Sequence, residues 1–205
     1  MEILLQSLHL PDVEQHPQPG VYLKLIEAAK AASGGEYPKI WDLFSFRQEF
    51  TPHLARFTQG VLRSPSSLSP ALRELIAAYT SYRNECAFCT NAHAAAAAEL
   101  LGSETLVWNA LRDLESSALE EKDKALLRFA GKITNALPSV AAADVEAVRA
   151  AGWNDEAIYF AITTTALFNF YNRWITSSGV PPMSVEAHRE QGKSLAHRGY
   201  IRDPS

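Results

Sequence analysis

The chain has 205 residues, of which 47% are hydrophobic, and this is enough for one well-buried domain. Its formal net charge of −4 gives it no basic footprint for nucleic acid. No apolar run of about 18 residues predicts a membrane span, and the first ten residues lack the basic region of a secretory signal. We therefore expect a cytoplasmic protein that binds neither nucleic acid nor a membrane.

The first 49 residues are expected to form a helical extension in front of the core. A loop containing Pro17 and Pro19 is followed by a helix predicted from about Val21 to Ala32. The run Ser33-Gly34-Gly35 then breaks the helical pattern. We treat this extension as part of the same domain as the rest of the chain.

The core is expected from about residue 50 to residue 178, where helix boundaries are well marked. Thr51-Pro52 and Ser69-Pro70 each predict a helix start, with a capping residue followed by proline at the first helical position. Gly102 ends the helix that carries the cysteines. The other predicted core helices run from Ser103 to about Leu111, from Glu121 to about Ala136, up to Ala150, and from Asn154 to about Ser177.

A C-terminal arm is expected over residues 179–205. The Pro181-Pro182 pair near its start ends the core, and a helix follows from about Val185 to His197. The segment with Tyr200 and Ile201 is expected to dock on the body or on another subunit. Alternating strand patterns are nearly absent. We therefore predict an all-α fold with one domain over residues 1–205.

Two helices are apolar on nearly every side and are predicted to be central. The helix over residues 70–83 places Glu74 on a face of small residues, where a carboxylate must be paired or protonated. We expect Glu74 to meet the reactive site, or else to form a salt bridge with its neighbours. The long helix 155–177 carries a polar stripe of Asn169, Asn172 and Arg173, which fits a site, an oligomer contact or core hydrogen bonding.

The chain's two cysteines, Cys86 and Cys89, form a C-x-x-C pair, and His93 follows four residues after the second. This spacing allows a disulfide across one helical turn, and an imidazole on the same face favours a reactive thiolate. If Asn84 caps this helix, its dipole favours Cys86 as the thiolate. The position of His93 favours Cys89 instead, because the imidazole can take its proton directly or through one water.

Three other interpretations of the pair were weighed. Isolated cysteines are most often small buried hydrophobic residues. A zinc site needs three or four protein ligands, and no second C-x-x-C or H-x-x-x-H is present. A thioredoxin-type motif requires neighbouring strands, which the pattern lacks. A redox dithiol on a helical scaffold is therefore preferred, with no metal and no cofactor. The other histidines, including His188, are expected to be surface or capping residues.

The chain has Glu74, then eleven residues, then C-x-x-C-x-x-x-H from Cys86 to His93. This spacing resembles the pattern of the alkylhydroperoxidase D (AhpD-like) group of the carboxymuconolactone decarboxylase superfamily. Residues 40–41 and 168–173 resemble its peroxidase-related subgroup. The resemblance covers most of the chain and is strongest over residues 50–178. One departure is Phe88, which stands where well-studied members can carry a histidine before the second cysteine.

The resemblance implies a helical homo-oligomer (a dimer, trimer or hexamer) that reduces alkyl hydroperoxides. Cys89 is implied to attack the peroxide and become a sulfenic acid, and Cys86 then to form the disulfide. A dithiol reductant such as a dihydrolipoyl protein is implied to restore the thiols. Glu74 is implied to orient His93 as the activating base.

Two alternatives from other functional classes remain open at this point. One is a disulfide reductase or redox sensor that exchanges thiols without turning over peroxide. The other is a lyase or isomerase of the decarboxylase type that uses Glu74 and His93 and does not need the thiols.

Overall fold

The computed structural model describes residues 7–32 and 35–202, and every regular element within these ranges is helical. The helices are α1 (Pro11–Gln15), α2 (Val21–Ala31), α3 (Ile40–Phe46), α4 (Thr51–Arg63), α5 (Pro70–Arg83), α6 (Ala87–Leu101), α7 (Glu104–Arg112), α8 (Glu121–Asn135), α9 (Ala142–Ala150), α10 (Asp155–Ser178) and α11 (Val185–Arg198). A single 3₁₀ turn, Leu137–Ser139, separates α8 from α9. The prediction of an all-α fold is confirmed. In the part of the chain described, no helix is long and apolar enough to cross a membrane.

The predicted capping residues mostly act as expected. The side chains of Ser69, Ser103 and Asn154 each accept a backbone N–H three residues later, and so cap α5, α7 and α10. Gly102 ends α6 in the left-handed conformation, with φ of +71°. Thr51 differs, because it is the first residue of α4 rather than its cap. Its hydroxyl donates to the carbonyls of Phe44 and Arg47, both at 2.8 Å, and ties α4 to the end of α3.

The N-terminal extension holds two short helices that the sequence pattern did not predict, α1 and α3. They are joined by a buried polar cluster in which Lys39 pairs with Glu14 and lies 3.7 Å from Asp42. Tyr37 donates to Asp42 at 3.2 Å. Burial raises the pKa of Asp42 to about 6, although the Lys39 charge opposes this shift. The predicted break at Ser33-Gly34 lies outside the described residues.

Two large hydrophobic clusters fill the fold, and a small third one joins α6 to α11. One large cluster joins the inner faces of α5 to α10 and includes Leu75, Leu126 and Ile158. The other lies under α2, α3 and α4 and includes Phe44, Phe168 and both cysteines. Residues of the N-terminal extension therefore share one hydrophobic cluster with both thiols.

The C-terminal arm docks on the body of its own chain. Helix α11 lies along α6, where Gly192 is so close to Ala95 that a β-carbon on the glycine would be 2.5 Å from the alanine Cβ. Beyond α11 the chain turns at Gly199, whose φ is +70°, and the backbone N–H of Tyr200 donates to Gln59 Oε1 at 2.7 Å. This turn places the Tyr200 ring beside His93.

Candidate active site

The tight connection between α5 and α6 brings the predicted site residues together. Helix α5 ends at Arg83, and the N–H of Cys86 donates back to the Ser81 carbonyl at 3.0 Å. Between them Glu85 adopts a φ of +56°, which is unusual for a residue with a side chain. The condition that Asn84 caps α6 is not met, because Asn84 is the C-cap of α5 and Cys86 itself is the N-cap of α6.

Glu74 is fully buried and lies at the centre of a hydrogen-bonded group. Its carboxylate accepts from His93 Nδ1 at 2.7 Å, from Arg63 Nη2 at 2.5 Å and from the Tyr200 hydroxyl at 2.5 Å. Burial alone would raise the pKa of Glu74, but His93, Arg63 and Tyr200 outweigh it and hold this pKa below its usual 4.5. The carboxylate is therefore ionised near neutral pH. The expected salt bridge is present, to Arg63, and Glu74 contacts His93, while its part in a reactive site stays a prediction.

The His93 ring is held from three sides. Its Nδ1 faces the Glu74 carboxylate, Phe168 packs edge-on at 4.4 Å between ring centroids, and Tyr200 stacks at 6.1 Å with nearly parallel planes. An ionised carboxylate can only accept, so Nδ1 carries a proton and Nε2 is the basic nitrogen of the neutral ring. No hydrogen bond joins this ring to either thiol among the described residues.

The two thiols are free and almost completely buried, with exposed fractions of 3% for Cys86 and 2% for Cys89. Interaction with the Cys89 thiol, against the effect of burial, lowers the pKa of Cys86 to about 6, and Thr176 and Asn172 add to this. Burial, and then the neighbouring Cys86, raises the pKa of Cys89 well above its usual 9.0. The pair therefore holds one negative charge near neutral pH, on Cys86.

An amide network lies behind the thiols and uses the polar stripe of α10. Asn84 Nδ2 donates to Asn172 Oδ1 at 2.9 Å and to Asn169 Oδ1 at 3.1 Å, while Asn172 Nδ2 donates to Ser81 Oγ at 2.9 Å. Arg173 is exposed and donates to the Asn169 side chain at 2.8 Å. Asn172 thus combines core hydrogen bonding with contact to the reactive pair, since it also affects the pKa of both thiols.

A cavity of about 550 Å³ opens next to this group and is lined by Cys89 and His93, but not by Cys86. Its other walls are mainly apolar and come from α2, α3, α10 and the C-terminal arm. Seven aromatic side chains contribute to that lining, namely Tyr22, Trp41, Phe44, Phe88, Phe168, Tyr171 and Tyr200. A molecule in the cavity therefore meets Cys89 first, while Cys86 lies behind it.

Sequence reasoning missed Arg63 and Tyr200. Arg63 is the last residue of α4 and Tyr200 follows α11, so neither is near the motif in the chain. The sequence did indicate that the terminal segment with Tyr200 docks on the protein, but it did not indicate where. The expectation for His188 is wrong, because this residue is 3% exposed and its Nε2 accepts the Met183 N–H at 2.9 Å. Its ring packs against Phe88 at 5.6 Å.

The described residues contain no group of three or more His, Cys, Asp or Glu side chains arranged to hold a metal ion. The groups that the candidate site brings together are a thiol pair, a histidine and the buried carboxylate that contacts it.

Residues 48–106, which include Glu74, both cysteines and His93, match the model of the Carboxymuconolactone decarboxylase family. Among solved structures, the chain is similar to an uncharacterized peroxidase-related protein from Silicibacter sp. TM1040. The two share 28% sequence identity and a TM-score of 0.75, over 89% of this chain and 94% of that one. No curated protein matches the sequence.

Two more distant structures share the fold. An uncharacterized peroxidase-related protein with an alkylhydroperoxidase AhpD core, from Ralstonia eutropha JMP134, has 22% identity and a TM-score of 0.72, over 86% of this chain and 97% of its own. The debrominase Bmp8 has 16% identity and a TM-score of 0.63, over 94% of this chain and 99% of its own. The fold therefore carries more than one activity, and the chemistry must be argued from the site.

Proposed function

From the match of residues 48–106 to the Carboxymuconolactone decarboxylase family model, we propose that the chain is an AhpD-like, thiol-dependent peroxidase that reduces alkyl hydroperoxides. The single observation that carries the proposal is that Cys89 and His93 line one cavity while Cys86, the neighbour of Cys89, does not. A peroxide bound there is next to a thiol, a base and a second thiol that can close a disulfide.

In the first step, Cys89 loses its proton to His93 Nε2 through a water in the cavity, since the two groups are not directly hydrogen bonded. The Cys89 thiolate attacks the distal oxygen of the hydroperoxide, the O–O bond breaks, and Cys89 becomes a sulfenic acid. His93 returns the proton to the leaving alkoxide, which departs as an alcohol. Glu74 stabilises the imidazolium that exists between these two transfers.

In the second step, the Cys86 thiolate attacks the sulfur of the Cys89 sulfenic acid. The S–S bond forms and the S–O bond breaks. The leaving hydroxide takes up from the bulk solvent the proton that Cys86 released on ionising, and departs as water. The low pKa of Cys86 suits this resolving role, because the attacking sulfur is already ionised near neutral pH. The acidic thiol and the thiol next to the substrate are thus different residues with different tasks.

The cycle needs a reductant that supplies two electrons. A dithiol attacks the Cys86–Cys89 disulfide through a mixed disulfide and leaves as a disulfide itself, restoring both thiols. A dihydrolipoyl protein fits this requirement because its arm is a small dithiol that the open cavity admits.

We also propose that the protein forms a homo-oligomer through α10. Its outer side carries an exposed apolar stripe of Tyr159, Ile162 and Phe170, and Tyr159 is 64% exposed. Such a stripe on one long helix is typical of an interaction surface. Analytical ultracentrifugation that finds only a monomer at micromolar concentration would exclude this assembly.

The division of roles is tested by replacing each cysteine with serine. Cys86→Ser should consume one equivalent of alkyl hydroperoxide and carry a sulfenic acid that dimedone traps on Cys89, seen by intact mass and peptide mapping. Cys89→Ser should consume none, because Cys86 lies outside the cavity lining. Peroxide consumption by Cys89→Ser with adduct on Cys86 would reverse the roles. Thiol exchange without peroxide consumption in wild type would indicate a disulfide reductase or sensor.

A further inference from the structure

A partly buried arginine, Arg202, lines the same cavity as Cys89. Its Nη1 donates to the carbonyls of Gly199 at 2.7 Å and Ile201 at 3.1 Å, and these are neutral acceptors. Burial lowers the pKa of Arg202, although Tyr22 and Tyr200 act in the opposite direction, and the nearby Arg198 adds a smaller lowering. The charge of this guanidinium is therefore not neutralised by a carboxylate among the described residues.

The carboxylates that line the cavity are already engaged elsewhere. Glu36 accepts from the backbone N–H and the hydroxyl of Ser184, both at 2.7 Å. Glu190 pairs with Lys193 at 2.7 Å. The guanidinium of a partly buried arginine that lines a mainly apolar cavity is suited to binding a carboxylate. It can do so through two parallel hydrogen bonds.

The size of the cavity indicates a large substrate. A water molecule occupies about 30 Å³ of the liquid, so hydrogen peroxide would fill only a small part of the roughly 550 Å³ available. Cavities of several hundred Å³ with apolar and aromatic walls and a few polar groups are typical of sites for larger organic ligands. The lining here has that composition, and its polar groups include the Cys89 thiol and the Arg202 guanidinium.

Building on the proposed peroxidase function, we propose that the substrate is an apolar organic hydroperoxide with a carboxylate, such as a fatty acid hydroperoxide. The carboxylate binds Arg202, the hydrocarbon body lies against the aromatic wall, and the peroxide group lies at Cys89. Arg198 contributes a second positive charge to the cavity lining.

The test compares linoleic acid hydroperoxide with its methyl ester, both below their aggregation concentrations. We expect the wild type to prefer the acid in kcat/KM by about tenfold or more, the usual scale for a charge-assisted hydrogen bond. Arg202→Gln should bring the ratio of acid to ester close to one, and Arg202→Lys should retain part of it. The matched control is Arg189→Gln, an exposed arginine outside this cavity, which should keep the wild-type ratio.

Because the ratio is taken within each variant, a general loss of activity does not imitate the expected result. A second arm uses the unreactive hydroxy acid and its methyl ester, with affinity measured by calorimetry. Acid binding that is stronger than ester binding in the wild type but not in Arg202→Gln supports the site even if peroxide turnover is absent. Equal affinity for acid and ester, or peroxide turnover without a preference for the acid, overturns the inference, and the latter leaves the peroxidase function standing.

Discussion

The charge on Cys86 depends first on Cys89, whose thiol is its strongest stabilising partner. Cys89 keeps its proton because it is more deeply buried and lies next to that charge. Two residues of the same type, one helical turn apart, therefore differ in pKa because their surroundings differ. The C-x-x-C spacing brings the two thiols together, but it does not reveal the difference in burial that makes their pKa values differ.

This difference predicts a specific titration. Thiolate absorbance near 240 nm should show one group ionising at about pH 6 in the reduced wild type. Cys89→Ala removes the main partner, so the pKa of Cys86 should rise toward its ordinary 9.0. Cys86→Ala serves as the control, and its remaining thiol should titrate above the ordinary value because Cys89 stays buried. An unchanged pKa near 6 in Cys89→Ala would contradict this account.

The lowered pKa of Cys86 also makes the stability of the fold depend on pH. The folded-state pKa of Cys86 lies below its value in the unfolded chain, so its ionisation contributes stability that is complete above about pH 9 and lost as the pH falls toward 6. The free energy of unfolding of wild type relative to Cys86→Ala should therefore rise between pH 6 and 8, by up to about 1 kcal/mol per pH unit. Denaturant titrations at several pH values measure this, and a flat difference would contradict the assignment.

The packing of α11 on α6 keeps Tyr200 in the site. Gly192 permits that packing, because a β-carbon there would lie 2.7 Å from the Ala95 carbonyl carbon as well as touching its side chain. Gly192→Ala must push the two helices apart, and we expect Tyr200 to lose contact with Glu74 and His93. The peroxide reaction should slow by about tenfold, since a base that is poorly oriented loses part of its usual contribution.

Gly60→Ala is the matched control for this substitution. Gly60 is also inside a helix, α4, but an added β-carbon would meet only Ser64 Oγ at 3.9 Å. This variant should keep full activity and gain up to about 1 kcal/mol of stability from its helix propensity. Both variants are compared by circular dichroism and by peroxide kinetics. Equal activity of the two would show that the arm does not position the site.

The helix boundaries of the core were predictable because they depend on local chemistry. Ser69, Ser103 and Asn154 cap through their own side chains, and Gly102 supplies a left-handed end. Helices α1 and α3 were missed because α1 has five residues and α3 has seven, too short for a helical period to be visible. Their ends are fixed by contacts distant in sequence, such as Lys39 with Glu14.

The candidate site was predictable in its local part only. The spacing from Cys89 to His93 follows from one helix, and Glu74 was inferred from the cost of burying a carboxylate. Arg63 and Tyr200 reach the site because α4 and the C-terminal arm pack on α5 and α6, which no local pattern contains. Tyr200 is 126 residues from Glu74, the carboxylate that its hydroxyl contacts.

At the scale of the whole molecule, the thiol site lies between the helical body, the N-terminal extension and the C-terminal arm. The extension supplies Tyr22, Trp41 and Phe44 to the cavity wall, while the arm supplies Tyr200 and Arg202. The family model matches only residues 48–106, so the reactive group lies in the matched segment and most of the cavity wall lies outside it. We infer that residues 48–106 determine the chemistry of the site, and that the segments on either side of them determine which substrates enter the cavity.

The central claim is that peroxide drives the closure of the Cys86–Cys89 disulfide. The most direct measurement is the intact mass of the reduced wild-type protein after one equivalent of tert-butyl hydroperoxide, with alkylation of any remaining thiols. The account predicts one equivalent of alcohol, the loss of two hydrogen atoms from the protein and no alkylation of either cysteine. Recovery of two alkylated cysteines and unconsumed peroxide from correctly folded protein would contradict it.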